Sequence, residues 1–177
     1  DENGDHLSRF VIRPLAGTAL ADKGYVGIFE QRIGFSADGV QFTIVPMDNW
    51  IEHTDEPGYG VVYDSWRERF IIYDRIYGVD RRVGRVLTTD FESFSAPEIV
   101  LQPDAQDPIG REFYGLYCVR YEDMFVGSVH IFDTEPTEKS MLKMHGGIET
   151  ELAYSHDGEH WYRACRDMPF VGRGGAG

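Results

Sequence analysis

Ser36-Ala37-Asp38-Gly39-Val40-Gln41-Phe42 and Ser155-His156-Asp157-Gly158-Glu159-His160-Trp161 read alike: a hydroxyl, an aspartate two residues on, a glycine, and an aromatic four residues after the aspartate. Between them, Thr88-Thr89-Asp90-Phe91-Glu92-Ser93-Phe94 keeps the hydroxyl, the aspartate and the aromatic but carries Phe91 at the glycine position. The aspartates lie 52 and 67 residues apart, and in each copy a strand-like run precedes the turn and another follows. Such a turn has a structural task. The carboxylate and hydroxyl accept backbone N–H bonds, glycine supplies positive φ, and the aromatic packs back over the hairpin. Ser36, Asp38, Gly39, Asp90, Ser155, Asp157 and Gly158 are therefore read as turn residues.

Outward from these turns the chain falls into short runs rich in Val, Ile, Phe and Tyr, with scarce helical periodicity, which is the pattern of an all-β protein. Strands are expected near Gly24–Glu30, Arg32–Ser36, Gly60–Tyr63, Phe70–Arg75, Val83–Thr88, Phe113–Tyr121, Met124–Phe132, Ile148–Ser155 and Trp161–Cys165. Two hairpins are legible, one turning through Asp64 to Arg69 and one through Glu122-Asp123. Apolar residues often stand at consecutive positions, so these strands are covered on both faces, as in stacked sheets.

Composition narrows the classes. The chain has 177 residues, a formal charge of −13, 42% hydrophobic and 14% aromatic content. This excludes a disordered segment, and no apolar run is long enough for a transmembrane helix. The acidic balance opposes binding to nucleic acid or an anionic membrane, because there is no basic field to release counterions. Cys118 and Cys165 form neither a disulfide framework nor a metal spacing and are read as buried thiols. The chain opens at Asp1 on a polar stretch, without the basic and apolar regions of a signal peptide, and is read as a mature, trimmed or fragmentary polypeptide. Gly172-Arg173-Gly174-Gly175 lacks the strand-to-helix context of a phosphate loop and is read as a terminus.

The S-x-D-G-x-x-W/F turns resemble the Asp-boxes of sialidase-type propellers. Thr89-Asp90-Phe91 with Phe94-Ser95-Ala96-Pro97-Glu98, and Leu152-Ala153-Tyr154-Ser155-His156-Asp157-Gly158 with Trp161-Tyr162-Arg163, are similar to hairpins of five-bladed glycosidases of glycoside hydrolase families 32 and 43. The resemblance spans roughly 24–170. It implies a β-propeller of four-stranded antiparallel blades. One blade is laid on 58–100 and another on 111–165, with 24–46 as part of a preceding blade and 169–177 as the approach to a following one. The whole of 1–177 is then one incomplete propeller domain of two to three blades, whose partners include remaining blades of the same polypeptide. A secreted or periplasmic location is what the family implies.

In such a meander the first and third strands start on one rim, opposite the S-x-D-G turns. That rim gathers Glu52, His53 and Asp55, then Arg81 and Arg82, then Asp104, Asp107 and Arg111, then His145, Glu149 and Glu151. Glycoside hydrolysis needs two carboxyl groups across the scissile bond, one as proton donor and one ionised. The resemblance implies acids at such positions, and Asp55, Asp107 and Glu149 are the catalytic candidates. Asp107, in Gln106-Asp107-Pro108, departs from the Arg-Asp-Pro of family 32 by lacking its arginine. Arg81, Arg82, Glu151, His145 and Tyr59 are the substrate-binding candidates. Trp50, Tyr77, Tyr114 and Tyr117 are further rings expected near this rim, where a flat ring stacks on a pyranose face.

The leading reading is a glycosidase acting on an oligosaccharide or polysaccharide without a cofactor, a structural Ca²⁺ in the channel being left open. The alternative is a non-catalytic carbohydrate-binding or scaffold propeller lacking part of the acid set. A protein-interaction propeller would show a broad apolar rim instead. Each acid also has a structural reading: Asp55 and Asp107 sit in turn-forming contexts, and Glu149 and Glu151 alternate with apolar residues as on an exposed strand face.

Overall fold

The computed structural model describes residues 10–29, 32–45, 54–76, 80–134, 146–172 and 174, with backbone only at Phe10 and 54–59. The described residues form three four-stranded antiparallel sheets and one short 3-10 turn, Ala21–Lys23. Sheet 1 contains β1 (Phe10–Pro14), β2 (Tyr25–Phe29), β3 (Arg32–Ser36) and β4 (Thr43–Val45). Sheet 2 contains β5 (Thr54–Asp64), β6 (Arg69–Ile76), β7 (Arg82–Thr88) and β8 (Glu98–Leu101). Sheet 3 contains β9 (Arg111–Tyr121), β10 (Met124–Thr134), β11 (Gly146–Ser155) and β12 (Tyr162–Arg163). Each sheet is a meander in chain order, and the three stack in a propeller-like series.

Consecutive apolar residues do face opposite neighbours. Val61, Phe70 and Ile72 pack with Leu15, Val26, Ile28 and Ile33 of sheet 1, while Val62, Ile71 and Tyr73 pack with Phe113, Leu116, Phe125 and Trp161 of sheet 3. The core is thus two intersheet layers, and sheet 2 contributes to both. The first strands approach one another. A methyl on Gly60 of β5 would lie 2.9 Å from the Leu116 carbonyl oxygen of β9, so only glycine permits this approach. Arg13 of β1 then donates to the Val61 oxygen of β5 and, at 3.2 Å, to the Cys118 oxygen of β9, satisfying carbonyls on otherwise unpaired strand edges.

The three turns share one hydrogen-bond set. Ser155 Oγ accepts the N–H groups of Asp157 and Gly158, and Asp157 Oδ1 accepts those of Glu159 and His160 at 2.8 Å. Ser36 with Asp38, and Thr88 with Asp90, repeat the arrangement. Gly39 and Gly158 have φ of 76° and 73°, and Phe91 takes the same left-handed region at 61°. Phe91 offsets that strain by burying its ring 4.6 Å from Phe70 and 6.1 Å from Phe35. Tyr73 of sheet 2 donates to the Gly158 oxygen at 2.8 Å, so the third turn is tied to the preceding sheet. The motif aromatic covers a glycine of its own sheet: a methyl on Gly127 would lie 2.7 Å from Trp161, and one on Gly27 would lie 2.8 Å from Phe42.

Three strands escape the periodicity reading: β4 and β8 have only 3 and 4 residues, too short to show alternation, and β1 ends in Pro14, which reads against a strand. The described terminus pairs back on its own sheet, Phe170 N–H donating to the Thr150 oxygen. Cys118 is buried, which pushes its thiol up to about 12, whereas Cys165 is exposed, contrary to the reading of both as buried thiols. No described helix is long and apolar enough to cross a membrane.

Candidate functional site

The rim formed by the starts of β5, β7, β9 and β11 carries one charge cluster, and a second runs from it along sheet 3. The inner one lies between sheets 2 and 3. Asp55 sits where the β5 ladder shifts: Thr54 faces Ile76 and Glu56 faces Arg75, leaving Asp55 as the extra residue. Tyr114 is the extra residue of β9, since Phe113 faces Ile131 and Gly115 faces His130. Bulges of this kind bend the strand and re-aim a side chain. Around Tyr114, the Arg75 guanidinium lies 4.7 Å and that of Arg81 5.6 Å from the ring centre, with Arg81 also 5.2 Å from Phe132. Arg81 pairs with Glu112, and its carbonyl accepts Phe113 N–H at 3.0 Å. Asp74, Arg75 and Glu112 are buried, and buried charges persist only where they are paired. Arg81 is 20% exposed and reaches solvent.

The outer cluster is a tight ionic network. Arg163 of β12 donates to both oxygens of Glu151 and to Asp107, and its guanidinium lies 5.2 Å from the Phe113 ring. Glu151 also accepts Asp167 N–H at 2.9 Å. Arg166 reaches Asp107 at 3.0 Å and Asp104 at 2.7 Å, while Arg111 pairs with Asp133 and Asp167. Burial raises the Asp107 pKa, but the bonds from Arg163 and the Asp104 backbone outweigh it and hold the carboxyl below its usual range. The network clamps the 102–110 connection onto sheet 3. Beside it, a cleft of about 470 Å³ opens between β8 and β12, bordered by Leu101, Gln102, Asp104, Tyr162 and Arg166.

The candidates thus separate. Asp107 and Glu151 meet through Arg163, with both carboxylates 3% exposed or less. Glu151 is not at the strand start, because β11 begins at Gly146 and Glu151 faces Val129 midway along it. Glu149 is half-buried two residues nearer the rim, in the row of Phe113 and Ile131. Arg82 binds Asp80 and the Gln102 side chain rather than standing open. Tyr117 lies on the outward face of sheet 3, its ring 5.0 Å from His130, and not on the rim. His145, Glu52, His53, Trp50, Tyr77 and the side chains of Asp55 and Tyr59 lie outside the described residues. Among the described residues no group of three or more His, Cys, Asp or Glu could hold a metal ion.

Reading by motif alone misses Glu112. Its signal is a lone acid entering the apolar run Phe113-Tyr114-Gly115-Leu116, where a charge needs a partner. Arg163 stands in the sequence only as the end of a turn motif, yet it organises the outer network.

No family model matches the chain, and no curated protein does. Among solved structures it is similar to one described as a BT0996 RGII complex, with 13% identity, a TM-score of 0.59, and coverage of 86% of this chain and 55% of that one. It is also similar to an N-acetylgalactosamine deacetylase from F. plautii in complex with blood group B trisaccharide, with 16% identity, a TM-score of 0.57, and coverage of 88% and 52%. The chain therefore spans about half the length of these two structures. At these identities the likeness shows the fold.

Proposed function

We propose that the chain is part of a carbohydrate-active propeller that takes an oligosaccharide at the rim where β5 and β9 begin and hydrolyses an O-glycosidic bond. The observation that carries the reading is the bulge at Tyr114, beside Arg81 and Glu112, with a second bulge at Asp55 on the preceding first strand. Sugars are held by flat rings and planar charged groups offering directional hydrogen bonds, and this inner cluster has both. The carbohydrate context of the two similar structures supports the substrate class.

Asp55 and Glu149 are the acids of this reading, one ionised and one donating to the leaving oxygen. Arg81 contacts a hydroxyl, and Glu112 holds Arg81 in place. Asp107 and Glu151 act through the Arg163 network as positioning residues that fix the connection above the rim. Titration with a panel of neutral oligosaccharides, alongside release of reducing sugar, tests this. Asp55→Asn and Glu149→Gln are expected to lower turnover at least about 100-fold while retaining binding. Unchanged hydrolysis in both variants overturns the acid assignment.

A second reading is favoured by one observation: of the four carboxylates named from sequence as catalytic or substrate-binding candidates, Asp55, Asp107, Glu149 and Glu151, two, Asp107 and Glu151, are taken up by arginine. In that case the rim binds sugar without cleaving it. Saturable binding with no bond cleavage by the wild-type protein selects this reading.

A further inference from the structure

On the rim of the turns, the ends of the three first strands enclose a pocket of about 240 Å³ bordered by Arg13 and Pro14 of β1, Val62 and Tyr63 of β5, and Val119 and Arg120 of β9. Two cations thus border one small space in a chain of net charge −13. Both guanidiniums are held in place. Arg13 donates to the backbone oxygens of Val61 and Cys118. Arg120 donates to the Glu122 oxygen at 3.2 Å and stacks on the Trp66 ring at 3.9 Å.

Carboxylates of the chain do not balance them. Among the described residues the fully buried Asp64 is the one acid within ion-pair reach, and it is shared by Arg67 at 3.0 Å, Arg69 at 3.6 Å and Arg120 at 3.7 Å. Arg13 is half-buried and pairs with no described carboxylate. Glu68, Glu122 and Asp123 stand exposed on the adjoining turns and pair with none of these four arginines. A guanidinium has five N–H donors, of which described acceptors take two from Arg13. The buried Arg69 Nε and Arg120 Nη1 make no hydrogen bond with described residues. Charges and donors withdrawn from water are costly without partners, so a site with cations in excess calls for a further anionic acceptor.

We propose that this pocket binds the carboxylate of a small organic acid, which accepts from Arg13 and Arg120 while its hydrocarbon part lies against Pro14, Tyr63 and Val119. The guanidinium fork matches a planar carboxylate. The fixed charge of Asp64 beside Arg120 disfavours a dianion such as phosphate, and the apolar remainder of the wall suits a hydrocarbon body. The volume lies below the roughly 300–1,000 Å³ of sites for larger ligands, so the acid is small. The pocket is on the rim opposite the inner cluster, and the inference is independent of the sugar reading.

Titration of the 177-residue chain with butyrate, followed by backbone amide NMR shifts, tests the proposal. Saturable shifts confined to 61–63 and 118–121 and to Arg13 are expected. Butyramide, which has the same shape without the charge, is expected to leave those amides unmoved, and phosphate to bind at least about tenfold more weakly than butyrate. Arg120→Gln should weaken butyrate binding at least about tenfold. Arg67→Gln removes the same charge outside the pocket and should change binding less than about threefold. Absence of saturable shifts with butyrate up to about 50 mM overturns the proposal. So do equal binding of butyramide, tighter binding of phosphate, or equal losses in the two variants.

Discussion

Asp157 shows how much of this fold is decided by single side chains. Its carboxylate accepts two backbone N–H groups and the Ser155 hydroxyl, and contacts the His160 ring at 2.7 Å. Asp157→Ala leaves those donors without their acceptor and is expected to cost about 1–3 kcal/mol, read from urea unfolding. Asp38 is held down to about 2 by the Gln41 and Val40 backbone bonds, and the pKa values of Asp90, Asp107 and Asp157 are also lowered. These groups take up protons less readily when folded, so their stabilisation is present above about pH 4 and is lost as the pH falls. His160 works in the other sense. The Asp157 bond raises its pKa, so its contribution is complete below about pH 6.5 and fades as the pH rises through the folded value. Melting temperatures from acid to mildly alkaline pH in wild type and Asp157→Ala separate the two limbs. Phe91 is a different case, because sequence shows only a missing glycine. Its ring fills an intersheet space that no turn pattern announces. Phe91→Ala should cost about 3–5 kcal/mol, and Phe91→Gly about 1 kcal/mol less by relieving the left-handed strain. Equal losses would contradict the strain argument.

At the scale of elements, alternation of faces makes the longer strands legible. Val61-Val62 and Phe70-Ile71-Ile72-Tyr73 each serve two cores, and runs without polar interruption report this directly. Strand β1 is illegible because it ends in Pro14, which reads against a strand and is tolerated here because β1 is an edge strand. Bulges are equally hidden, since the Asp55 and Tyr114 positions depend on the partner strand and not on local pattern. In sequence the outer network shows only as scattered charges 44 and 56 residues apart, Asp107 with Glu151 and with Arg163. Arg163 is the residue that joins them. Arg163→Ala removes the arginine from buried Glu151 and leaves Asp107 with Arg166, and should cost about 3–5 kcal/mol. Arg163→Lys is expected to recover less than half of that, because lysine cannot form the two-point bond with Glu151. Chemical denaturation of the three proteins checks the order. A loss below about 1 kcal/mol for Arg163→Ala would show that water or rearrangement replaces the guanidinium.

For the whole molecule, the three stacked sheets set one rim of strand starts against another rim of rigid turns. The turns hold the sheets in register, and the opposite rim carries the inner cluster around Arg81, Glu112 and Tyr114. Several of the acids behind the net charge of −13 are paired with arginine in the two clusters, a pairing that sequence alone can count but not assign. Recognition of an oligosaccharide at the inner rim is what we propose. A crystal structure of the protein from its own source, soaked with the oligosaccharide of highest affinity in the panel, tests it most directly. The account predicts a sugar ring between the starts of β5 and β9, with a hydroxyl within about 3 Å of the Arg81 guanidinium and the Asp55 carboxylate facing the glycosidic oxygen. A sugar seated instead in the cleft between β8 and β12, with the inner rim unaltered, would contradict it.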